Sequence, residues 1–127
     1  MANRQRNPAN ISTYGPLTLD GTTTTNYTGI IIVPRATVVS VQLVWTATSG
    51  SLNATATLQE TNHPFPDSDT DTDWVDNADV TFTDPAGSDS KELENIGNMG
   101  ASTFRIKFAR RSGSGDVTAY VCVKKRD

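Results

Sequence analysis

The sequence has one cysteine and one histidine, and neither has the neighbours that catalysis or metal binding requires. Cys122 cannot form a disulfide within the chain, so we expect it to be a structural side chain in a strand. His63 lies in a predicted surface loop, without a group to orient it as an acid or base and without a second nitrogen or sulfur ligand. Nucleophile elbows, phosphate-binding loops and paired-cysteine zinc motifs do not occur either. The sequence therefore predicts a protein that is not an enzyme, with no catalytic residue, metal or cofactor.

Long apolar runs and an excess of positive charge are missing as well. No segment is long enough to cross a bilayer, and Met1–Asn10 lacks the apolar centre of a secretory signal. We therefore expect a protein made in a reducing cytoplasm, with no membrane partner. With 11 basic and 14 acidic residues the net charge is −3, and because nucleic-acid affinity depends on neutralising phosphates, direct nucleic-acid binding is not expected. The two signs are segregated: aspartates crowd residues 67–79, and basic residues crowd residues 105–126.

The sequence does contain long stretches in which apolar and polar residues alternate with a period of two, the pattern of half-buried strands. Residues 39–45 and 52–58 alternate on either side of Ser49-Gly50-Ser51, which predicts a hairpin. Residues 104–108 and 117–123 do the same on either side of the Ser/Gly-rich segment 112–116, which predicts a second hairpin.

Shorter elements and dense turn signals fill the rest of the chain. Residues 27–33 predict a strand, 74–75 and 80–82 predict two brief ones, and 91–94 could form a single helical turn. No long segment has a helical period, so the fold class predicted is all-β, an antiparallel β-sandwich for which a jelly roll is one candidate form. We assign residues 1–13 to an N-terminal arm and residues 14–127 to one sandwich domain. The polar arm is either a frayed terminus or an extension that lies on a neighbouring subunit.

The segment Asp67–Asp73 carries an aspartate at every second position, a spacing that calcium ligands can use. It lacks the glycine and the closing glutamate of the helix-loop-helix calcium motif, however. We interpret it as a solvated, self-repelling loop, with a cation site as the alternative.

The two tryptophans could stack on sugars, as aromatic residues do in carbohydrate-binding sandwiches. Trp45 has the same parity as the apolar residues before it, and Trp74 begins a predicted strand, so core positions are expected for both. The rings expected at the surface are Tyr14, Tyr27 and Tyr120.

Several segments, taken in order, resemble small structural proteins of tailed bacteriophage virions. These proteins are β-sandwiches whose last hairpin has an Arg-containing strand, a Ser/Gly turn and a closing Tyr-x-x-x-Lys strand. The similarity covers Leu17 to Lys124, although the loop 63–73 and the segment 88–98 are longer than the usual pattern. The segments that carry it are Leu58-Gln59-Glu60, the Asp-rich loop before Trp74-Val75-Asp76, Phe104-Arg105-Ile106-Lys107, Ser112-Gly113-Ser114-Gly115, Val117-Thr118-Ala119-Tyr120 and Lys124.

The resemblance implies a virion component assembled in the host cytoplasm, namely an auxiliary capsid protein that decorates or cements the head. Its partners would be the major capsid protein or other virion proteins, and it would form a homo-oligomer, for example a trimer. Alternatives are a neck, tail or fibre-associated virion protein and, from another class, a carbohydrate-binding adhesion module. The residues expected to contact an acidic capsid surface are Arg4, Arg6, Lys124, Lys125 and Arg126.

Overall fold

The computed structural model of the protein describes residues 11–32, 37–87, 90–96 and 103–125. These residues contain strands but no helix, and hence no helix that could cross a membrane. The all-β antiparallel class predicted from the sequence is confirmed. The strands are β1 (Ile11–Leu19), β2 (Thr25–Tyr27), β3 (Ile31–Ile32), β4 (Thr37–Thr61), β5 (Val75–Asp76), β6 (Ala86–Gly87), β7 (Ser90–Ile96) and β8 (Thr103–Lys125).

Two very long strands, β4 and β8, form the centre of the fold. They pair antiparallel along their whole length, from Thr37 opposite Lys125 to Thr61 opposite Thr103. The two predicted hairpins are therefore wrong, because neither strand reverses direction at its Ser/Gly-rich segment. Instead the two segments lie opposite each other, with Ser49 paired to Ser114 and the register shifting on both sides. A strand that bends at a bulge keeps the same alternation on both sides of the bend as a hairpin does.

The bend divides the paired strands into two halves, each of which is extended by shorter strands into a sheet. In the first sheet, the early half of β4 and the late half of β8 are flanked by β7 and β1, in the order β7-β4-β8-β1. In the second sheet, β5 and β6 pair with the late half of β4, and β2 and β3 pair with the early half of β8. The inward faces of both sheets share one hydrophobic core, so the fold is sandwich-like, with β4 and β8 common to both sheets.

Most of the core comes from the alternating segments 39–45, 52–58, 104–108 and 117–123, and the other strands and loops add Leu19, Ile31, Phe82 and Ile96. Odd-numbered residues of β4 point inward before the bend and even-numbered ones after it, because the register shifts between Ala47 and Ala54 change the parity. Each fully buried large aliphatic side chain contributes roughly 1.5–3 kcal/mol relative to exposure. The core residues are Leu19, Ile31, Val39, Val41, Leu43, Trp45, Leu52, Ala54, Ala56, Leu58, Phe82, Ile96, Phe104, Ile106, Phe108, Val117, Ala119 and Val121.

Three smaller elements differ from the prediction. Residues 91–94 are not a helical turn but belong to β7, where pairing with β4 overrides local helix propensity. Residues 80–82 form no strand, although Phe82 is buried in the core. The predicted strand 27–33 is interrupted at residues 28–30 between β2 and β3, and Val33 lies outside the described residues.

The described residues include only the last three of the predicted N-terminal arm, residues 11–13. Strand β1 begins at Ile11, so the last three residues assigned to the arm are paired with β8. Residues 1–10 lie outside the described residues.

The bend requires glycine at one position for two separate reasons. Gly113 has a φ of +69°, and a Cβ built there would overlap the carbonyl oxygen of Ser51. Gly50 has a φ of +64° but no atom within 4 Å of a built Cβ. We expect Gly50→Ala to lower the free energy of unfolding by ~1–2 kcal/mol, the backbone cost of the left-handed conformation. Gly113→Ala should lower it by a further ~1–3 kcal/mol, because the backbone must also shift.

Urea denaturation of the two variants measures this difference directly. Gly50→Ala is the matched control, since it carries the same backbone cost without the overlap. Equal losses for both variants would contradict the close approach of the two strands at the bend.

Candidate functional site

The outer face of the first sheet contains an open depression with a volume of about 450 Å³. Its residues meet because they occupy outward positions of four neighbouring strands: Leu93 pairs with Gln42, which pairs with Tyr120. Two residues further along β8, Cys122 pairs with Ser40 on one side and with Ile11 on the other. Apolar and hydrogen-bonding groups thus alternate in a shallow surface, which suits contact with another macromolecule. We call this surface the sheet-one face; its depression is lined by Ile11, Ser40, Gln42, Leu93, Tyr120 and Cys122.

The charge on the sheet-one face is positive. Lys91, opposite Val44, and Lys124, opposite Val38, occupy outward positions and are exposed. In the part of the chain that the structure describes, these four strands place one carboxylate on this face, that of Asp116 near the bend. It accepts a hydrogen bond from the Thr18 hydroxyl at 3.0 Å. The depression therefore has a basic border.

The residues predicted to bind a partner are only partly described. Lys124 is exposed near the end of β8, and the backbone of Lys125 pairs with Thr37. Arg4, Arg6 and Arg126 lie outside the described residues. Ile11, the first residue of β1, pairs with Cys122, two residues before Lys124 on β8.

The sequence analysis missed the burial of Arg105 in the second sheet. Arg105 occupies an outward position of β8, yet its exposed fraction is 0% because the loop between β4 and β5 covers it. Its guanidinium carbon lies 3.8 Å from the centre of the Tyr27 ring and 4.3 Å from that of the Trp74 ring. Two aromatic faces therefore enclose the cation, an arrangement that cation–π attraction stabilises.

The guanidinium of Arg105 also donates hydrogen bonds to the loop and to β4. Its Nε donates to Gln59 Oε1 at 2.8 Å, and its Nη1 donates to the Ser68 carbonyl at 3.0 Å. Its Nη2 donates to the Thr70 carbonyl at 2.6 Å and to Asp71 Oδ1 at 2.9 Å. Burial lowers the pKa of Arg105, while the Asp71 carboxylate opposes that effect. The guanidinium remains charged, as it does throughout proteins.

Asp71 is the residue at which the acidic loop joins the sheet. Its second carboxylate oxygen accepts a hydrogen bond from Lys107 Nζ at 2.5 Å, and Gln59 donates to the first at 3.2 Å. The hydrogen bond from Lys107 lowers the pKa of Asp71, and the same contact raises the pKa of Lys107. The loop is exposed to solvent as predicted, but at Asp71 the self-repulsion is offset by ion pairs with Arg105 and Lys107.

Neither a metal nor a sugar-stacking tryptophan is indicated by the geometry. Within residues 11–32, 37–87, 90–96 and 103–125, no group of three His, Cys, Asp or Glu residues could hold a metal ion. Trp45 is buried in the core as predicted, and its Nε1 donates to the Ala86 carbonyl at 3.2 Å. Trp74 is also buried, but it covers Arg105 rather than the core, and its Nε1 donates to the Asp67 carbonyl at 2.7 Å.

The tyrosines and the histidine occupy different environments. Tyr120 is exposed as predicted, whereas Tyr14 packs against the core and Tyr27 is half-buried beside Arg105. His63 lies at the surface, as expected, and its Nδ1 accepts a hydrogen bond from the backbone N–H of Phe65 at 3.0 Å.

The exposed large hydrophobic side chains of the described residues belong to two surfaces. Ile11, Val38, Leu93 and Tyr120 lie on the sheet-one face. The others lie where the second sheet ends, away from the bend, beside the loop that contains Asp67–Asp73. We call this second surface the acidic end; its apolar residues are Ile32, Phe65 and Val75.

Comparison with known proteins assigns no family, because no family model matches the chain and no curated protein matches its sequence. Function is therefore inferred from the chemistry of the sheet-one face, the acidic end and the network around Arg105.

Arg105 should carry most of the stability of the loop. Arg105→Met removes the cation and leaves the carbonyls of Ser68 and Thr70 without their donor, so we expect a loss of ~1–3 kcal/mol. Lys107→Met is the control, because it removes a partly exposed partner of the same Asp71 and should cost less than ~1 kcal/mol. Urea denaturation measures both, and limited proteolysis shows whether the loop has opened. Similar losses for the two variants would contradict a central role for Arg105.

Asp71 should make the stability depend on pH in acid. Its pKa in the folded protein is lowered from 3.8, so its contribution is complete well above that value. The contribution is lost as the pH falls through 3.8 and the lower folded value. We expect the stability advantage of the native protein over Asp71→Asn to be constant near neutrality and to shrink in that acid window. Urea midpoints measured across this range test the expectation, and an advantage independent of pH would contradict it.

Proposed function

We propose that this protein is a non-enzymatic structural protein of a tailed bacteriophage virion, acting as an auxiliary capsid protein that decorates or cements the head. The observation that carries the proposal is the position of the basic residues. The chain that follows Arg4 and Arg6 enters the first sheet at Ile11, opposite Cys122 and beside Lys124. Lys124 is exposed on that sheet, and in the sequence Lys125 and Arg126 follow it while Arg4 and Arg6 precede β1; we call these five residues the basic end. The resemblance to small β-sandwich virion proteins supports the same assignment.

In the proposed mechanism, each copy contributes a few charged contacts to an acidic surface of the major capsid protein. A single exposed ion pair contributes less than about 1 kcal/mol. A symmetric multimer on a symmetric shell presents many such contacts together, and the raised effective concentration makes the whole attachment strong. Assembly would take place in the host cytoplasm and the product would remain in the virion. The same properties would suit a neck, tail or fibre-associated position, which immunogold labelling of virions distinguishes from the head.

A framework that changes little in shape favours this function. Strands β4 and β8 pair through the bend, and the longest loop is held to the sheet by Arg105. Such a module binds through surfaces that exist before contact, which reduces the ordering cost of association.

A carbohydrate-binding adhesion module is the second candidate. The exposed ring of Tyr120 and the side chain of Gln42 in the same open depression are the observations that favour it. A glycan array with the native protein and with Tyr120→Ala tests this candidate. Binding that depends on Tyr120 would favour the adhesion module over the capsid protein.

Charge reversal at the basic end should weaken capsid attachment without weakening the fold. We expect Lys124→Glu, combined with Arg4→Glu and Arg6→Glu, to lower the affinity for heads assembled without this protein by at least about tenfold, or ~1.4 kcal/mol. The loss should be smaller at high salt, where exposed charges are screened. Co-sedimentation with the heads measures the affinity.

The controls use charge changes away from the basic end. Lys124→Glu alone is compared with Arg111→Glu, which makes the same charge change near the bend, where Arg111 pairs with Asp84 at 3.2 Å. Melting temperatures of all variants report on folding. Unchanged affinity of the triple variant, or an equal loss in Arg111→Glu, would remove the basic end from the proposed function.

A further inference from the structure

The sheet-one face and the acidic end have complementary charges. The first carries Lys91 and Lys124 around exposed apolar side chains. The second has Phe65 next to the acidic loop. The four aspartates of this loop and Asp76 of β5 outnumber the two cations, Arg105 and Lys107, that contact the loop. Each surface therefore combines apolar area with an excess of one sign of charge. Complementary charges of this kind guide two protein surfaces toward each other and fix their relative placement.

Hydrogen bonds hold the backbone on both sides of Phe65 at the acidic end. Phe65 is 85% exposed between Pro64 and Pro66. On one side the loop is held by the hydrogen bond from the His63 backbone N–H to Thr61 Oγ1 at 2.9 Å. On the other side, the Asp67 backbone N–H donates to Asp73 Oδ2 at 2.8 Å, and Arg105 holds the carbonyls that follow. A large aromatic side chain on a preorganised loop has the properties of an interface anchor.

The two surfaces lie on opposite sides of the sandwich. The depression opens on the outer face of the first sheet, whereas the acidic loop covers the outer face of the second, over Arg105. One molecule therefore cannot join its own two surfaces. Two copies that met through the same surface would bring lysines against lysines, or aspartates against aspartates. Only contact between different surfaces brings opposite charges together.

We infer that copies of this chain associate head to tail, with Phe65 and the acidic end of one copy docking in the depression of the sheet-one face of the next. Such a heterologous contact closes into a ring when the rotation per copy divides a full turn, and otherwise forms a filament. The inference deepens the proposed function and rests on the multimer assumed there.

Two variants, each defective in one surface, test the inference. Leu93→Asp places a carboxylate in the depression, and Phe65→Ser removes the anchor; the two side chains are 63% and 85% exposed, so the fold should be unaffected. Thr81→Asp is the control, since it adds a carboxylate at an exposed loop position outside both surfaces. We expect the native protein and Thr81→Asp to form multimers in light scattering, and each of the other two variants to have the mass of one chain. Melting temperatures should be the same for all four proteins.

Mixing the two defective variants gives the decisive measurement. Leu93→Asp retains a working acidic end and Phe65→Ser retains a working depression, so the mixture should form a species of two chains that grows no further. The inference is overturned if the native protein has the mass of one chain, if either variant keeps the native mass, or if the mixture stays at one chain. Capsid attachment is measured separately: a native protein of one chain that still binds heads would overturn only the head-to-tail contact. Multimers that bind no heads would overturn only the capsid function.

Discussion

The antiparallel pairing of β4 with β8 through the bend is the interaction on which the rest of the structure depends. Every other strand that the structure describes pairs with one of these two, so none has a place in a sheet without them. Because both strands bend at the same point, one continuous ladder supplies two sheets whose inner faces meet. The steric constraint on the pairing is greatest at the bend, where the backbone of Gly113 lies so close to that of Ser51 that a side chain would not fit. A fold with such long-range pairing must close large loops before it gains contacts, so slow folding is expected of it.

The buried charge of Arg105 has a different role from the core. Removing a guanidinium from water costs several kcal/mol, and the return from Asp71 and the two aromatic rings is of similar size, so the pair is weak evidence for stability. What the contact does provide is a fixed position for a polar loop that has few apolar side chains to anchor it. Arg105 reaches two loop carbonyls as well as Asp71, which a hydrophobic residue in its place could not do. Its contribution is therefore to the specific shape of the loop from Ser68 to Asp71.

Alternation was sufficient to predict the fold class and the inner faces but not the connections between strands. The inward residues from Val39 to Trp45 and from Val117 to Val121 follow from period two alone, because a side chain's face depends only on its parity. A hairpin and a bent strand differ in the residue that each position pairs with. The pairing in this fold is between segments more than forty residues apart, which the local alternation does not indicate. The role of Arg105 was hidden for a related reason: its outward position is normal for a charged residue, and only the loop that folds over it makes it buried. Tyr27 and Trp74, which enclose it, lie far from it in the sequence.

The net charge of −3 is small, but the charges of the two signs are concentrated on different surfaces of the folded protein. The aspartates between residues 67 and 76 lie at the acidic end, whereas Lys91 and Lys124 lie on the sheet-one face, on the opposite side of the sandwich. The edge of the first sheet offers another route to association, but it is poorly suited to self-pairing. Antiparallel contact of two copies of β7 centred on Leu93 would set Glu92 of each against Glu94 of the other, and like charges directly opposite are destabilising. Repulsion between glutamates thus opposes association of copies through the sheet edge, whereas attraction between lysines and aspartates favours contact between the sheet-one face and the acidic end.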